Sequence, residues 1–72
     1  MMNERPIDVL NKAKNKKVWI KLKNNEEVTG VLLSLDLHLN MSLKNVEIVN
    51  EKKKKVENLL IRGDAVVYVS PE

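Results

Sequence analysis

The spacing of hydrophobic residues changes once along the chain, near residue 17. Before this point three apolar residues recur three apart, as on one side of an amphipathic helix: Ile7, Leu10 and Ala13. Pro6 suits the first turn of such a helix, because its missing N–H leaves no hydrogen bond unmade there. The pattern predicts one short helix over residues 5–14, ended by Asn15.

After residue 17 apolar and polar residues alternate, which is the period of a β-strand. The alternation predicts a strand from Val18 and a second over Glu27–Leu35. Asn24-Asn25 predicts a tight turn between them, because asparagine tolerates a positive φ. Gly30 interrupts the second strand and indicates a sharp bend or the close approach of another backbone.

The strictest alternation covers residues 35–44, where leucine or methionine occupies every odd position. Taken alone, this pattern predicts that one strand continues through residues 36–40 with a polar outer face. Val46 and Ile48 then fall on even positions, so the phase slips by one residue near Lys44-Asn45. Such a slip predicts a bulge or a bend, and hence two strands or one strongly kinked strand over this stretch.

Two further strands are predicted on either side of Arg62-Gly63-Asp64, over Val56–Ile61 and Ala65–Val69. Both contain residues that are apolar on each face, which a chain of this length cannot cover by itself. We therefore expect these strands to form a contact between subunits. Lys52–Lys55 reads most simply as the solvated tip of a hairpin, and attraction of phosphates is the alternative. The predicted fold class is mostly β, with a short helix followed by five strongly bent antiparallel strands in a small open barrel.

Composition restricts the classes of function. A chain of 72 residues permits one small domain, residues 1–72, which needs further support such as association with other copies. Without cysteine, and with His38 as the single histidine, we expect no metal site and no cofactor. No apolar run is long enough for a bilayer, and residues 1–8 carry no secretory signal, so a cytoplasmic protein without a membrane partner is predicted.

The net charge of +3 permits a nucleic-acid partner without requiring one. With two aromatic residues and no phenylalanine, a platform that stacks bases on aromatic rings is excluded. An enzyme is disfavoured, because Ser34 and Ser42 lack a nucleophile elbow and two glycines make no phosphate loop. We therefore expect no catalytic residue and no small-molecule substrate. A structural SH3-like barrel, acting as a protein-interaction or ribonucleoprotein accessory module, is the alternative, although its groove would need clustered aromatics.

The order of these elements and two short motifs resemble the Sm and Sm-like (Lsm) family, most closely its archaeal type. The first motif covers residues 18–49 and contains Gly30 and Asp36-Leu37-His38-Leu39-Asn40. The second, within residues 56–69, is Leu60-Ile61-Arg62-Gly63-Asp64. Each piece alone is unspecific, and Arg-Gly-Asp is more often a plain turn. Their order and separation carry the resemblance, together with an opening that is similar to the archaeal N-terminal helix.

The resemblance implies a homo-oligomeric ring, usually of seven subunits with six possible, in which the fourth strand of one subunit pairs with the fifth of the next. It also implies binding of uridine-rich single-stranded RNA and a scaffold or chaperone role in RNA processing. By the family pattern a uracil would lie between His38 and Arg62, and Asn40 would read the base edge. Asp64 would help to orient Asn40, with Gly63 in the same turn.

The side chains suit this chemistry. A guanidinium is planar and cationic, so Arg62 can stack on a base, and an amide offers the donor and acceptor that uracil requires. We assign Asp36 to loop structure, through hydrogen bonds to backbone N–H groups. From the residues alone, Asp36, His38 and Asn40 are more simply solvent-facing positions of a strand, and only the match at both motifs together reverses that interpretation. Leu35 stands where archaeal members often carry an aromatic, which argues against a second RNA contact on the helix face.

Overall fold

The chain folds into a short helix followed by one open antiparallel sheet. The computed structural model describes residues 5–71; residue 72 and residues 1–4, where we predicted no secretory signal, lie outside the described residues. The elements are α1 (Pro6–Asn11), β1 (Lys17–Leu22), β2 (Glu27–Leu35), β3 (Met41–Val49), β4 (Lys53–Ile61), a 3-10 turn (Gly63–Ala65) and β5 (Val66–Pro71). The strand order is β4-β3-β2-β1-β5. The predicted mostly-β class is confirmed.

The helix is shorter than predicted and ends at Asn11 rather than Lys14. It begins after Arg5, whose backbone N–H and guanidinium donate to the carboxylate of Asp8. Beyond Asn11 the backbone forms a tighter, 3-10-like turn, in which the N–H of Lys14 donates to the carbonyl of Asn11, three residues back instead of four. Asn15 then adopts a left-handed φ of 66° and ends this turn at the predicted position. Within residues 5–71 no helix is long and apolar enough to cross a membrane.

The core lies on one face of the sheet, as the alternation in the sequence predicted. Its fully buried side chains come from β1, β2 and β3: Val18, Ile20, Val28, Leu32, Met41, Leu43 and Val46. Ala13, in the turn after α1, packs against the same cluster. The turn between β1 and β2 contains Asn25 with a φ of 69°, so the predicted asparagine turn is confirmed.

Gly30 lies where β3 passes close to β2. A Cβ at this position would be 3.0 Å from Cγ2 of Val46 and 3.1 Å from the carbonyl oxygen of Lys44. The register between β2 and β3 shifts by one residue beside Gly30, opposite Asn45, which has a φ of 52°. The predicted slip near Lys44-Asn45 is therefore a β-bulge, and the close backbone approach at Gly30 is confirmed.

Residues 36–40 are a loop, so the prediction that the strand continues through them is wrong. Leu37, which the alternation placed on a buried face, is 81% exposed. The backbone turns here because the carboxylate of Asp36 accepts hydrogen bonds from N–H groups of the same loop. A local side-chain acceptor of this kind competes with strand pairing.

The lysine run is not confined to the tip of its hairpin. Lys52 alone lies in the turn, whereas Lys53, Lys54 and Lys55 belong to β4 and pair with the end of β3. The strand extends this far because its backbone continues the ladder opposite Val49, whatever the charge of its exposed side chains.

β4 and β5 form the two edges of the described sheet. Their apolar residues remain uncovered in the single chain: Leu60 is 74% exposed, Val67 55% and Tyr68 48%. These residues belong to the two runs that the sequence showed as apolar on both faces. Exposed strand edges with such side chains are ready to pair with another chain.

The two aromatic residues of the chain lie together on the outer face of the sheet. The ring centroids of Trp19 on β1 and Tyr68 on β5 are 5.2 Å apart, with the planes inclined by 46°. The indole Nε1 donates to Oε1 of Glu27 at 3.1 Å. The pair therefore stabilises the contact between β1 and β5.

Candidate functional site

Two loops from distant parts of the sequence meet at one end of the sheet. One is the β2–β3 loop (residues 36–40), and the other is the β4–β5 turn (residues 62–65). Gly63 is the point of contact, because a Cβ there would overlap the carbonyl oxygen of His38 and lie 3.0 Å from the carbonyl carbon of Leu39. The N–H of Gly63 donates to Oδ1 of Asn40 at 2.8 Å. Only glycine allows this approach without moving one of the loops.

Asp36 organises the β2–β3 loop. Its Oδ1 accepts from the backbone N–H of His38 at 2.8 Å and of Asn40 at 3.0 Å, and its Oδ2 accepts from Nδ2 of Asn40 at 3.0 Å. The loop is closed by the N–H of Asp36, which donates to the carbonyl of Asn40 at 3.1 Å. The prediction that Asp36 serves loop structure is confirmed.

Leu39 carries the strained backbone of this loop, with a φ of 61°. A bulky residue in the left-handed region costs on the order of 1–3 kcal/mol, so its surroundings must enforce the conformation. Two bonds do so, from the N–H of Leu39 to the carbonyl of Asp36 and from the N–H of Asn40 to its carboxylate. The loop role of Asp36 was predicted, but the left-handed turn at Leu39 was not, because the alternation placed Leu39 in a strand.

The amide of Asn40 is held in one orientation. Its nitrogen donates to Asp36, which can only accept, and its oxygen accepts from the N–H of Gly63, which can only donate. Exchange of the oxygen and nitrogen would break both bonds. One N–H and one lone pair of the amide therefore remain for a ligand, at fixed places.

His38, Asn40, Arg62 and Asp64 line one shallow cleft, so the structure brings together four of the five predicted site residues. Gly63, the fifth, joins the two loops. Nη2 of Arg62 lies 3.0 Å from Oδ2 of Asp64. Both side chains are exposed, and such a pair contributes at most about 1 kcal/mol.

The partners of Asn40 differ from the expectation that Asp64 orients it. Asp36 and Gly63 hold the amide, while Asp64 bonds to Arg62. Asp64 thus positions the guanidinium at the side of the cleft. Within residues 5–71 no three side chains of His, Asp or Glu come together as a metal site.

The pKa of Asp36 is lowered, chiefly by the hydrogen bond from the Asn40 side chain and further by the backbone N–H groups of Asn40 and His38, against a smaller opposing effect of burial. A carboxyl group with a lowered folded pKa stabilises the protein above its unfolded value, near 3.8, and this contribution disappears as the pH falls through the folded value.

We expect Asp36→Asn to be less stable than the wild type by an amount that is constant above about pH 5 and shrinks at lower pH. Urea unfolding at a series of pH values measures this difference. A difference that stays constant from neutral pH down to acid unfolding would contradict the role of the Asp36 carboxylate.

Comparison with known proteins gives consistent similarities along almost the whole chain. The LSM domain family matches residues 8–71. An snRNP Sm-like protein of Methanococcoides burtonii is 43% identical, over 97% of this chain and 100% of that protein. The Sm protein of Pyrococcus abyssii, solved in complex with a uridine heptamer, is similar with a TM-score of 0.89 and 37% identity, over 96% of this chain and 100% of that one. The SmAP1 heptamer of P. aerophilum gives a TM-score of 0.90 at 28% identity, over 99% and 97% of the two chains.

Proposed function

Because this chain belongs to the LSM domain family, we propose that it forms a homo-heptameric ring that binds uridine-rich single-stranded RNA in the cleft of each subunit. The observation that carries this proposal is the fixed amide of Asn40, which lies in the same cleft as His38 and Arg62. The cleft therefore combines an oriented hydrogen-bonding group with two planar side chains.

The amide of Asn40 fits uracil and opposes cytosine. Its remaining lone pair accepts from N3–H of uracil, and its remaining N–H donates to the O4 carbonyl. Cytosine presents an acceptor at N3 and an amino group at C4, so both contacts are reversed. Because Asp36 and Gly63 prevent the amide from turning over, the mismatch cannot be relieved. A good two-bond contact of this kind discriminates between bases by about 1–3 kcal/mol.

The imidazole of His38 and the guanidinium of Arg62 supply the stacking surfaces that the chain otherwise lacks. Stacking contributes about 1–3 kcal/mol per base, which gives one cleft little affinity. Repetition of the cleft around a ring raises the affinity, because the second and later bases bind at a high effective concentration. Asp64 supports this role by holding one edge of the guanidinium.

The exposed edges of β4 and β5 support the proposal of a ring. β4 and β5 leave Leu60, Val67 and Tyr68 exposed, and pairing β4 of one subunit with β5 of the next would cover them. The P. aerophilum relative, whose fold is closely similar, is a heptamer. A ring also supplies the buried surface that a chain of this size lacks.

The biological role that fits these contacts is a non-catalytic scaffold or chaperone in RNA processing, acting in the cytoplasm. The groups of the cleft stack and form hydrogen bonds with a base, and they leave the RNA chemically unchanged. Such a protein acts by holding RNA strands in a ribonucleoprotein rather than by converting them.

Native mass spectrometry and a binding titration test the proposal together. We expect a particle of seven chains of 8.3 kDa each, and heptauridine binding at least about tenfold more tightly than heptacytidine. A monomer at micromolar concentration would rule out the ring, and equal affinity for the two oligonucleotides would rule out the assigned site. A monomer that binds neither would favour the SH3-like accessory module.

A further inference from the structure

The lysine run that stands out in the sequence is neutralised in the fold. Lys52–Lys55 share the β3–β4 hairpin and its surroundings with four acidic residues: Glu26, Glu47, Glu51 and Glu57. Nζ of Lys53 lies 3.9 Å from Oε1 of Glu47. The hairpin therefore has little net charge and offers no strong attraction for a polyanion.

The surplus of positive charge lies elsewhere. Residues 9–25 contain six lysines and no acidic residue. One of the six, Lys21, is paired with Glu27 at 3.7 Å. Several exposed lysines form no ion pair with any carboxylate of residues 5–71, and four of them that lie on neighbouring segments are called the lysine patch: Lys14, Lys16, Lys17 and Lys44.

Strand register brings the members of the lysine patch together. Lys17 on β1 is opposite Val31 on β2, and Val31 is opposite Lys44 on β3, so the two lysines lie on the same face of the sheet. Two strand spacings separate their backbones by about 10 Å. The segment that carries Lys14 and Lys16 is tied beside Val31, since Leu32 exchanges backbone hydrogen bonds with residues 15 and 16.

Toward its other end the same face carries charges of both signs. There the outward-facing positions of β2 and β3 include Glu27 and Glu47, which pair with Lys21 and Lys53. Lys17, Val31, Lys44 and Asn58 form one row across the four strands β1, β2, β3 and β4. Val31, between the two lysines, and Asn58, beside Lys44, carry no charge. The row of Lys17 and Lys44 therefore carries positive charge with no carboxylate in it.

We infer that the lysine patch binds the phosphate backbone of RNA that flanks the uridine tract, without reading its sequence. Ammonium groups on flexible stems act as point charges for phosphate, and contacts of this kind supply affinity and salt dependence rather than base specificity. The inference rests on the proposed function for the tract itself. The patch is a separate surface, because Lys44 lies about 13 Å along the strand from Asn40 of the cleft.

Two RNAs and two double variants test the inference. Heptauridine fills the clefts alone, whereas heptauridine with unstructured mixed-sequence extensions at both ends also reaches the outer face. We expect the wild-type protein to bind the extended RNA about tenfold more tightly. Lys17→Gln/Lys44→Gln should lose this gain while keeping its affinity for heptauridine within about twofold. The magnitude of its slope of log affinity against log salt concentration should fall by about 1.4 for each subunit in contact with the extension. This is about 0.7 for each of the two phosphates that the lost lysines would neutralise.

Lys54→Gln/Lys55→Gln is the matched control, since it removes the same charge from the neutralised hairpin and should behave as the wild type. An equal loss in this control would overturn the inference, as would a wild type that gains nothing from the extensions. So would a lysine-patch variant that weakens heptauridine as much as the extended RNA. If the wild type fails to bind heptauridine, the proposed function is overturned and not the inference about the patch. In that case, tighter binding of the extended RNA that is lost in Lys17→Gln/Lys44→Gln would still support the lysine patch.

Discussion

Gly63→Ala is expected to abolish the binding of oligouridine, with a loss of affinity of about a hundredfold or more. The new methyl group would overlap the carbonyl oxygen of His38, so the β4–β5 turn and the β2–β3 loop must separate. Separation removes the hydrogen bond from Gly63 to Asn40 and releases the amide that reads the base. Overpacking of this kind also lowers the free energy of unfolding by about 1–3 kcal/mol. Fluorescence anisotropy and urea unfolding measure the two effects.

Gly30→Ala is the matched control for this substitution. Its Cβ would meet a side-chain methyl of Val46 at 3.0 Å and the carbonyl oxygen of Lys44 at 3.1 Å, far from the cleft. We expect this variant to lose stability and to keep the heptauridine affinity of the folded protein. A Gly63→Ala protein that binds heptauridine as the wild type does would show that contact between the two loops is not needed for the site.

Asn40→Ala is expected to reduce the preference for heptauridine over heptacytidine from at least about tenfold to less than about twofold. His38 and Arg62 would still stack on either base, so a weaker and unselective binding should remain. The N–H of Gly63 loses its acceptor, which costs about 1–3 kcal/mol of stability if water does not replace it. Titrations with both oligonucleotides measure the preference directly.

Asn58→Ala, on the exposed outer face of β4, provides the control and should leave both affinities unchanged. Arg62→Ala should differ from Asn40→Ala, because loss of a stacking surface weakens uridine and cytidine oligonucleotides alike. If uridine preference survives in Asn40→Ala, the assignment of Asn40 as the base-reading residue is wrong.

The sheet was predictable from the sequence wherever burial alone determines the pattern. β2 begins and ends at Glu27 and Leu35 as predicted, and within it Val28, Gly30 and Leu32, at every second position, are buried. The slip at Asn45 was visible for the same reason, since a bulge moves the following apolar residues to the other parity. These features depend on neighbours along the strand, which the sequence lists in order.

The β2–β3 loop was not predictable in this way. Leu37 and Leu39 continue the alternation by position only, and neither lies in a strand. What turns the chain is a carboxylate at residue 36 that bonds two backbone N–H groups, together with a left-handed residue at 39. Hydrophobic periodicity contains no information about such bonds, so the pattern predicted a strand.

The residues of the candidate site came from the resemblance to the Sm-like family, whereas their arrangement required the structure. Asn40 is oriented by Asp36 and by Gly63, a residue 23 positions away, whereas the resemblance implied Asp64 in that role. The lysine patch shows the same limit. Lys17 and Lys44 are far apart in the sequence and become neighbours only through the register of three strands.

The contact between Trp19 and Tyr68 gives the protein a built-in optical reporter. All aromatic absorption and intrinsic fluorescence of the chain arise from this one pair, at the seam between β1 and the edge strand β5. The base-stacking groups assigned to the cleft, His38 and Arg62, are not fluorescent. Tryptophan emission therefore follows the packing of β5 and the state of the subunit edge, and RNA occupancy needs a label on the nucleic acid to be seen.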